Sequence, residues 1–483
     1  MTRRKVRARI LATGLISAFG LLGVSSIEVQ SGCADKAAPA AAPAPIVIGV
    51  SLDLTGKPRR IRGAAPQVDR GLAERPQLEW RRARSARRLR RARRPERQDK
   101  GIVERIANGF VQKHVAAVIG PVGSQQIVAT QKIYADAHIV QISPSATSTD
   151  LATIQPATDR WLFRTTPADD FQAAAVMLFA QRTPRGLSDA GFPQTGGGLP
   201  VSCSKLALVN VDNSSGNSMA DVIESNWPKR VGQPIVTRQR VSVTLTASYA
   251  DVVRAVLAAN PQCLALIAYD DVAAELAREL KADAKYAQLV TQSGFFFIGT
   301  DDVYTDGFLA RGRTNQSDPT SANVAEGFIG TNPDTQPGTP EYRQFLTLYS
   351  ASFPLKPTED APAFAANTFD AAILLALAIQ AAGSAEDHVA LRDVLHAIAS
   401  AGKPYTPGQL GLARQAVREN QDIDYKGASG NMDLEPNGNV KSGFIVWEAS
   451  RRPATDPDPA KRNATDYRTI GRFTLDELLG QLQ

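Results

Sequence analysis

Residues 115–137, VAAVIGPVGSQQIVATQKIYADA, set the pattern for the whole chain. The segment begins with an unbroken apolar run, VAAVIG, which is typical of a strand covered on both faces of a parallel sheet. A turn follows, and the residues after it, with Ser124 as the expected cap, have the character of a helix. Strand, turn and helix in this order form the repeating unit of an α/β fold.

The same alternation extends in both directions along the chain. Before and after this unit we expect a strand at 46–52, a helix at 101–114 and a strand at 138–143. A second set starts at residue 204, with predicted strands at 204–211, 234–243, 263–269 and 295–300 and predicted helices at 217–227, 248–259 and 272–284. Further helices are expected in 341–352 and 364–400, and a late strand at 442–448. Alternation of this kind predicts doubly wound parallel sheets with helical crossovers, here in two lobes.

The N-terminus carries the features of an export signal. A basic segment, MTRRKVRAR, precedes an apolar run, ILATGLISAFGLLGV, of signal-peptide length. The small residues before Cys33 are similar to a bacterial lipoprotein cleavage site, where the cysteine receives lipid; an ordinary signal peptide cut nearby is the alternative. We therefore predict a signal peptide at 1–33, an Ala/Pro tether at 34–45, and an exported protein, periplasmic or at the cell surface, with a lipid anchor.

Residues 81–98, RRARSARRLRRARRPERQ, contain ten arginines in eighteen positions. Residues 57–100 hold 17 basic and 5 acidic residues, and the chain outside them and outside the basic start of the signal has a net charge of −10. The length of 57–98 suits a helix and a neighbouring strand, but its apolar residues are isolated. This combination indicates a coding-frame slip in a GC-rich gene. A solvated basic insertion is the alternative, and nucleic-acid binding is least favoured because no aromatic residues are interleaved.

Cysteine and histidine usage limits the chemistry. Cys203 and Cys263 each stand just before an apolar run, and if those runs are neighbouring parallel strands the two thiols could form a disulfide. The histidines show no metal-ligand spacing; they are His114, His138, His388 and His396. No G-x-S-x-G elbow or phosphate loop occurs. We expect no metal, no cofactor and no enzymatic activity.

Several segments together resemble one protein family. They are IVIGVSLDLTG, VAAVIGPVGSQQ, HIVQISPSATSTDL, WLFRTTPADDFQAAA, LALVNVDNSSGNSMAD, FFFIGTDDVYTDGF, FDAAILLALAIQAAG and DIDYKGASGNMDLEPNGNV. In order and spacing they resemble the bacterial Leu/Ile/Val-binding (branched-chain amino-acid) type of extracellular solute-binding protein, which has the periplasmic-binding-protein-like I fold. The resemblance covers 46–56 and 99–450.

The resemblance implies two doubly wound lobes joined by a three-segment hinge and closing on a ligand. We place the hinge crossings near 165–167, 329–333 and 429–438. Lobe I would then contain 46–165 with 330–428, lobe II would contain 166–329 with 430–450, and 451–483 would be a C-terminal extension.

Ligands of open α/β sheets lie beyond the carboxyl ends of the strands, near helix N-termini. GPVGS and SPSATS are two such turns, and their N–H groups and hydroxyls suit a carboxylate. The resemblance assigns Ser124, Ser145 and Thr147, with Ala146 between the last two, to carboxylate-binding positions. Helix capping is the alternative role of these hydroxyls.

The second lobe is expected to supply the remaining contacts. By resemblance, Tyr269 stands at an aromatic contact and Asp301 at the position that pairs with a ligand ammonium. Simple packing for Tyr269 and a turn or cap role for Asp301 are the alternatives. Ser215 occupies a position where the family has another aromatic residue. The pocket could therefore take a branched-chain amino acid, another amino acid, an amide or an aromatic acid.

The resemblance implies a binding component of an ABC-type importer that delivers an amino-acid-like ligand to a membrane permease. A ligand sensor that signals to a receptor has the same fold and is one alternative. The other is a non-functional product of a frame-disrupted gene, which would lack a helix and a strand of lobe I and leave backbone groups unpaired.

Overall fold

The computed structural model describes residues 46–52, 100–181, 203–353, 355, 361–400 and 402–482. The predicted signal peptide with Cys33, the tether at 34–45 and the arginine-rich segment at 57–98 lie outside these residues.

A four-stranded parallel sheet forms the centre of the first lobe. Its elements are β1 (Ile48–Val50), α1 (Lys100–Gln112), β2 (Ala117–Ile119), α2 (Ser124–Asp136), β3 (Val140–Ser143) and β4 (Leu162–Arg164), and the strands lie side by side in chain order. Every residue of β2 and β3 is buried. Helices α1 and α2 cover one face, where Ala107 and Tyr134 pack against Val118. This two-sided burial is the physical reason for the unbroken apolar run at 115–120.

A seven-stranded sheet forms the centre of the second lobe. The elements that follow β4 are α3 (Asp169–Gln181), β5 (Leu206–Val211), α4 (Ser214–Val231), β6 (Thr237–Val241), α5 (Ala250–Ala258), β7 (Cys263–Ile267), α6 (Asp270–Ala282), α7 (Ala284–Ser293), β8 (Phe296–Gly299), α8 (Asp306–Gly312) and β9 (Phe328–Pro333). Strands β9, β8, β7, β5 and β6 lie in that order and are parallel. Apolar cores lie on both faces, one around Trp227 and the other around Phe297.

The chain then returns to the first lobe. The elements of this return are α9 (Pro340–Ser352), α10 (Ala365–Ala382), α11 (His388–Ser400), β10 (Lys403–Tyr405), α12 (Leu410–Arg418), β11 (Ile423–Gly427) and β12 (Gly430–Asn431), of which β10, β11 and β12 form a small sheet. Helix α10 packs on the second face of the first sheet, where Leu374 contributes to the same core as Ile119 and Trp161. Within the described ranges, α10 alone is long and apolar enough to cross a membrane, and just over half of it (56%) is buried in this core.

The C-terminal residues complete the second sheet. Strand β13 (Phe444–Arg451) pairs antiparallel with β9, and β14 (Thr465–Phe473) pairs antiparallel with β13. Helix α13 (Leu475–Leu482) packs on α3. Our prediction of an extension at 451–483 is therefore wrong, because this segment supplies an edge strand and a helix to the second lobe. The strand was missed because an edge strand buries few of its side chains, and TDYRTIGRF has little apolar character.

Two of the three passages between the lobes differ from the predicted crossings. The chain passes from β4 to α3 through residues 165–168. Residues 328–333, which we had assigned partly to a crossing and to lobe I, form β9 inside the second sheet, so the second passage follows Pro333. The third passage lies later than predicted, because Val440 is still buried in the core of the first lobe and β13 of the second lobe begins at Phe444.

Gly330 explains why β9 was not recognised as a strand. Glycine is unfavourable inside strands unless another group approaches closely. Here a Cβ atom on Gly330 would lie 2.2 Å from the indole of Trp447 and 2.5 Å from the carbonyl oxygen of Gly299. The glycine is therefore required by the packing of Trp447 on the sheet.

The predicted fold class is confirmed: the chain forms two α/β lobes, each built on a parallel sheet. The second lobe adds an antiparallel hairpin that the pattern did not predict. Strands β5 and β7 are neighbours, and the structure contains a disulfide between Cys203 and Cys263, whose Cα atoms are 5.9 Å apart.

We predict that Gly330→Ala lowers the free energy of unfolding by about 3 kcal/mol, because the new methyl group overpacks the Trp447 site. Gly109→Ala is the matched control: it lies in α1 with nothing within 4 Å of the new Cβ, and it should stabilise by about 0.5–1 kcal/mol. Denaturant unfolding measures both. Equal stability of the two variants would contradict the assigned packing.

Candidate functional site

Two turns of the first lobe are joined by hydrogen bonds of their serines. The amide of Ser148 donates to Ser124 Oγ at 3.1 Å, and Ser145 Oγ donates to the carbonyl oxygen of Val122 at 2.9 Å. Gly123, rather than Ser124, is the N-cap of α2, which corrects the predicted cap. The turns that follow β2 and β3 thus form one rigid unit at the carboxyl edge of the first sheet.

Arg164 holds the turn that follows β3 in place. Its side chain is 1% exposed and donates from Nη1 to the carbonyl oxygens of Ala146 and Ser148, at 3.1 and 2.8 Å. Nε donates to Asn439 Oδ1 at 2.9 Å, which ties the turn to the third passage between the lobes. Burial lowers the pKa of Arg164 to about 10, against the opposing effect of Asp169, so the guanidinium is charged at neutral pH.

Asp169, at the start of α3, contacts both lobes. Its amide donates to the carbonyl oxygen of Thr147 at 2.8 Å, and its carboxylate also interacts with the Thr147 hydroxyl. From the second lobe, Ser218 Oγ donates to Asp169 Oδ2 at 2.7 Å. The side chain of Asp169 is fully buried.

Asp301 follows β8 and lies close enough to Asp169 for the two charges to interact. It is the first residue of a short turn over Asp301–Val303, with Thr300 as the cap, and its carboxylate accepts a hydrogen bond from the Gln172 side chain. Burial raises the pKa of Asp301 to about 6. Burial, with the charge of Asp301 as a further cause, raises the pKa of Asp169 to about 7. The buried carboxylate of Asp169 and the half-buried carboxylate of Asp301 therefore lie close together, next to the contact between the lobes.

The other two predicted residues of the second lobe lie nearby. Tyr269 precedes α6, and its hydroxyl accepts a hydrogen bond from Asn213 Nδ2 at 2.8 Å. Ser215 is in the first turn of α4, and its carbonyl oxygen accepts from Ser218 Oγ at 3.3 Å. Tyr269 and Ser215 thus both contact the N-terminal end of α4, the helix that carries Ser218, the partner of Asp169.

The two lobes touch directly at this point. Ser148 Oγ and Ser214 Oγ are 2.9 Å apart, and Ser214 Oγ donates to Asp150 Oδ2 at 2.9 Å. The amide of Thr149 donates to Ser218 Oγ at 3.3 Å. The first turn of α4 therefore rests on residues 148–150 of the first lobe.

The sequence analysis missed several residues of this region. They are Ser148, Asp150, Arg164, Asp169, Gln172, Ser214 and Ser218. Apart from Arg164, which ends a strand, they lie in SPSATSTD, TPADDFQ and NSSGNS. These segments contributed to the family resemblance, but their polar residues are also what helix capping alone would produce. The available signal was the pair of acids at 169–170, in the first turn of the helix that follows β4.

Away from this region, a surface depression of about 550 Å³ contains none of the predicted ligand residues. It brings together His138 and His388, which are far apart in sequence. Across the described ranges, no group of three or more His, Cys, Asp or Glu side chains could hold a metal ion.

We predict that Asp169→Asn changes the pH dependence of stability. The pKa of Asp169 in the folded protein is raised above its ordinary value of 3.8 to about 7, so the folded state binds the proton more tightly than the unfolded chain does. This contribution to stability is present at low pH and is lost as the pH rises through about 7. The free energy of unfolding of the wild type should therefore fall, relative to that of the variant, by on the order of 2 kcal/mol between pH 5 and 8.

Urea unfolding at four pH values measures this difference. Asp251→Asn is the control, because its carboxylate is 91% exposed and forms only a surface ion pair. Parallel curves for wild type and Asp169→Asn would contradict the burial of a titrating group at this position.

Comparisons with known proteins add to this geometry. A family model described as periplasmic binding protein matches residues 96–420, which include elements of both lobes. The substrate-binding protein BasB of a chemotactic signal transduction system in Halobacterium salinarum is 23% identical over 348 residues, which cover 71% of this chain and 72% of that protein.

Solved structures share the fold. The leucine-binding protein LivK from Thermotoga maritima superposes with a TM-score of 0.55 at 16% identity, over 78% of this chain and 86% of LivK. A solute-binding protein of an ABC transporter from Rhodopseudomonas palustris BisB5, in complex with 3,4-dihydroxybenzoic acid, gives 0.51 at 14% identity, over 78% and 84% of the two chains. The chain belongs to the periplasmic binding protein family, whose members are exported solute-binding proteins and not enzymes.

Proposed function

We propose that this protein captures a small amino-acid-like ligand between its two lobes and delivers it to an ABC permease in the membrane. The observation that carries the proposal is a pair of neighbouring acids, the buried Asp169, which contacts both lobes, and the half-buried Asp301 beside it. Two carboxylates in a poorly hydrated space repel each other, and a cation between them relieves that repulsion. A ligand ammonium provides such a cation.

The polar surroundings of the acids fit a ligand with several hydrogen-bonding groups. Buried atoms without a hydrogen-bond partner among the described residues include Arg164 Nη2, Thr166 Oγ1, Gln172 Oε1 and Thr300 Oγ1. Unpaired buried polar groups are costly, and a polar ligand could supply partners for them. These unpaired atoms lie on the segments that carry Asp169 and Asp301, and this placement supports a ligand-binding role for the region.

The turn at 145–147 is the proposed carboxylate site. Thr147 is the residue of this turn that lies against Asp169, so it is the best placed to contact both ends of an amino acid. Ser145 now donates to Val122 and would have to rotate to bind a carboxylate. Ser124 supports the turn through Ser148, and Ala146 holds it in place, because its amide donates to Ser143 Oγ and its carbonyl oxygen accepts from Arg164.

On the second lobe, we propose Tyr269 as a wall of the pocket, held by Asn213. Ser215 is a small residue in the first turn of α4 and leaves space for a ligand side chain. The hydrogen bond between Ser148 and Ser214 would then hold the two lobes together, and the permease would bind this closed form.

A sensing role is the second candidate, and the chemotactic substrate-binding protein of Halobacterium salinarum is the observation that favours it. Both roles use the same closing of two lobes on a ligand. Uptake of a radiolabelled ligand by cells with and without the gene separates them, because only a transport component is needed for uptake.

We propose that Cys33 carries a lipid anchor that keeps the exported protein at the membrane. In cells that express the full chain, Cys33→Ser should move the protein from the membrane fraction to the soluble exported fraction. Asp251→Asn, a change at an exposed side chain, is the control and should stay with the membrane. Unchanged fractionation of Cys33→Ser would contradict the lipidation.

We predict that ligands with both an ammonium and a carboxylate raise the melting temperature most. L-Leucine should raise it by several degrees, whereas 3-methylbutylamine and 4-methylpentanoate, which each lack one of the two groups, should have little effect. Asp301→Asn should weaken amino-acid binding about 30-fold or more, because it removes one partner of a buried charge pair, while Asp251→Asn should bind like wild type.

A thermal-shift screen of the twenty amino acids, their amides and hydroxybenzoates makes this measurement, with calorimetry for the variants. A shift with hydroxybenzoates and with none of the amino acids would contradict the proposal.

A further inference from the structure

The turn that carries Asp301 is held by one hydroxyl group from the C-terminal strand. Tyr467, on β14, donates to the carbonyl oxygens of Val303 and, at 3.1 Å, Thr305. The same hydroxyl accepts from the amide of Thr305 at 3.2 Å. A single side chain, 166 residues from Asp301 in sequence, therefore binds the backbone directly after it.

Aromatic packing fixes the ring of Tyr467 in place. Its centroid lies 4.6 Å from that of Tyr304 and 5.2 Å from that of Trp447, in an edge-on arrangement with the latter. Trp447 is fully buried beneath Gly299 and Gly330. The hydroxyl thus has a defined position relative to the sheet, and the turn has a defined position relative to the hydroxyl.

The constraint reaches Asp301 through the backbone. The amide of Tyr304 donates to the carbonyl oxygen of Asp301 at 3.1 Å, and Val303 is fully buried in the core below. The backbone of residues 303–305 is therefore coupled to that of Asp301. A shift of residues 303–305 would change the direction of the Asp301 carboxylate.

We propose that Tyr467 is the positioning residue for Asp301, so that the C-terminal hairpin sets the affinity of the site for an ammonium group. This inference rests on the proposed function for its ligand but not for its geometry. Burial raises the pKa of Tyr467 well above its usual range, with Asp306 and Asp466 as further charged groups that face it. The hydroxyl therefore keeps its proton and can donate and accept at the same time.

Tyr467→Phe tests the inference, because it removes the three hydrogen bonds and keeps the ring. In the variant the turn should loosen and hydrate, and the pKa of the Asp301 carboxyl should fall toward its ordinary value of 3.8. The measurement is a pH titration of the full-length protein labelled with ¹³C at aspartate carboxyls, with the Asp301 signal assigned by its loss in Asp301→Asn. Asp169 is the charged neighbour of Asp301 and is titrated in the same spectra.

L-Leucine is the probe for binding, and its affinity should fall about 3- to 10-fold in Tyr467→Phe. Tyr286→Phe is the matched control: this tyrosine is also partly buried in the second lobe, but it packs on Phe295 and Phe297. It should leave both the Asp301 pKa and the leucine affinity unchanged.

The outcomes separate this inference from the proposed function. An unchanged Asp301 pKa in Tyr467→Phe overturns the positioning role, whatever the affinity. A shifted pKa together with weaker leucine binding supports it. If the wild type does not bind leucine, the proposed ligand class loses its main support, and the pKa of Asp301 alone decides the positioning role.

Discussion

The carboxylate of Asp169, buried where two lobes meet, is the constraint on which the rest of the site depends. It is held by Ser218 from one lobe and by Thr147 from the other, and a second acid, Asp301, lies close enough to raise its pKa. A protein that only needed stability would gain little from placing a second acid beside a fully buried one. Under the proposed function, a ligand ammonium would bind beside these two acids and relieve their repulsion, as a bound proton also would.

The two lobes hold this pair by different means. On the first lobe, Arg164 donates hydrogen bonds to two carbonyl oxygens of the turn at 146–148 and to the side chain of Asn439. On the second lobe, a core of Trp447, Tyr304 and Tyr467 supports the turn of Asp301. The strand that supplies Tyr467 comes from the end of the chain, so the site is complete only when the C-terminal hairpin has joined the second sheet.

Buried parallel strands could be predicted from the sequence because they impose continuous apolar runs, as at 115–120 and 263–267. The edge strand β14 could not, because only three of its nine residues are buried and its composition is polar. β9 was misjudged since Gly330 serves a packing contact with Trp447 that only the folded structure shows. Asp301 was indicated by resemblance, whereas Asp169 was not, because its partners Thr147 and Ser218 come from distant segments.

Proton release on binding tests the central claim most directly. Titration of L-leucine into the protein at pH 6.5, by calorimetry in buffers with different ionisation enthalpies, counts the protons exchanged per ligand bound. If an ammonium group replaces a proton held by Asp169 and Asp301, binding should release a substantial fraction of one proton at pH 6.5 and much less at pH 8.5. Binding with no proton exchange at either pH, or with proton uptake, would contradict the account.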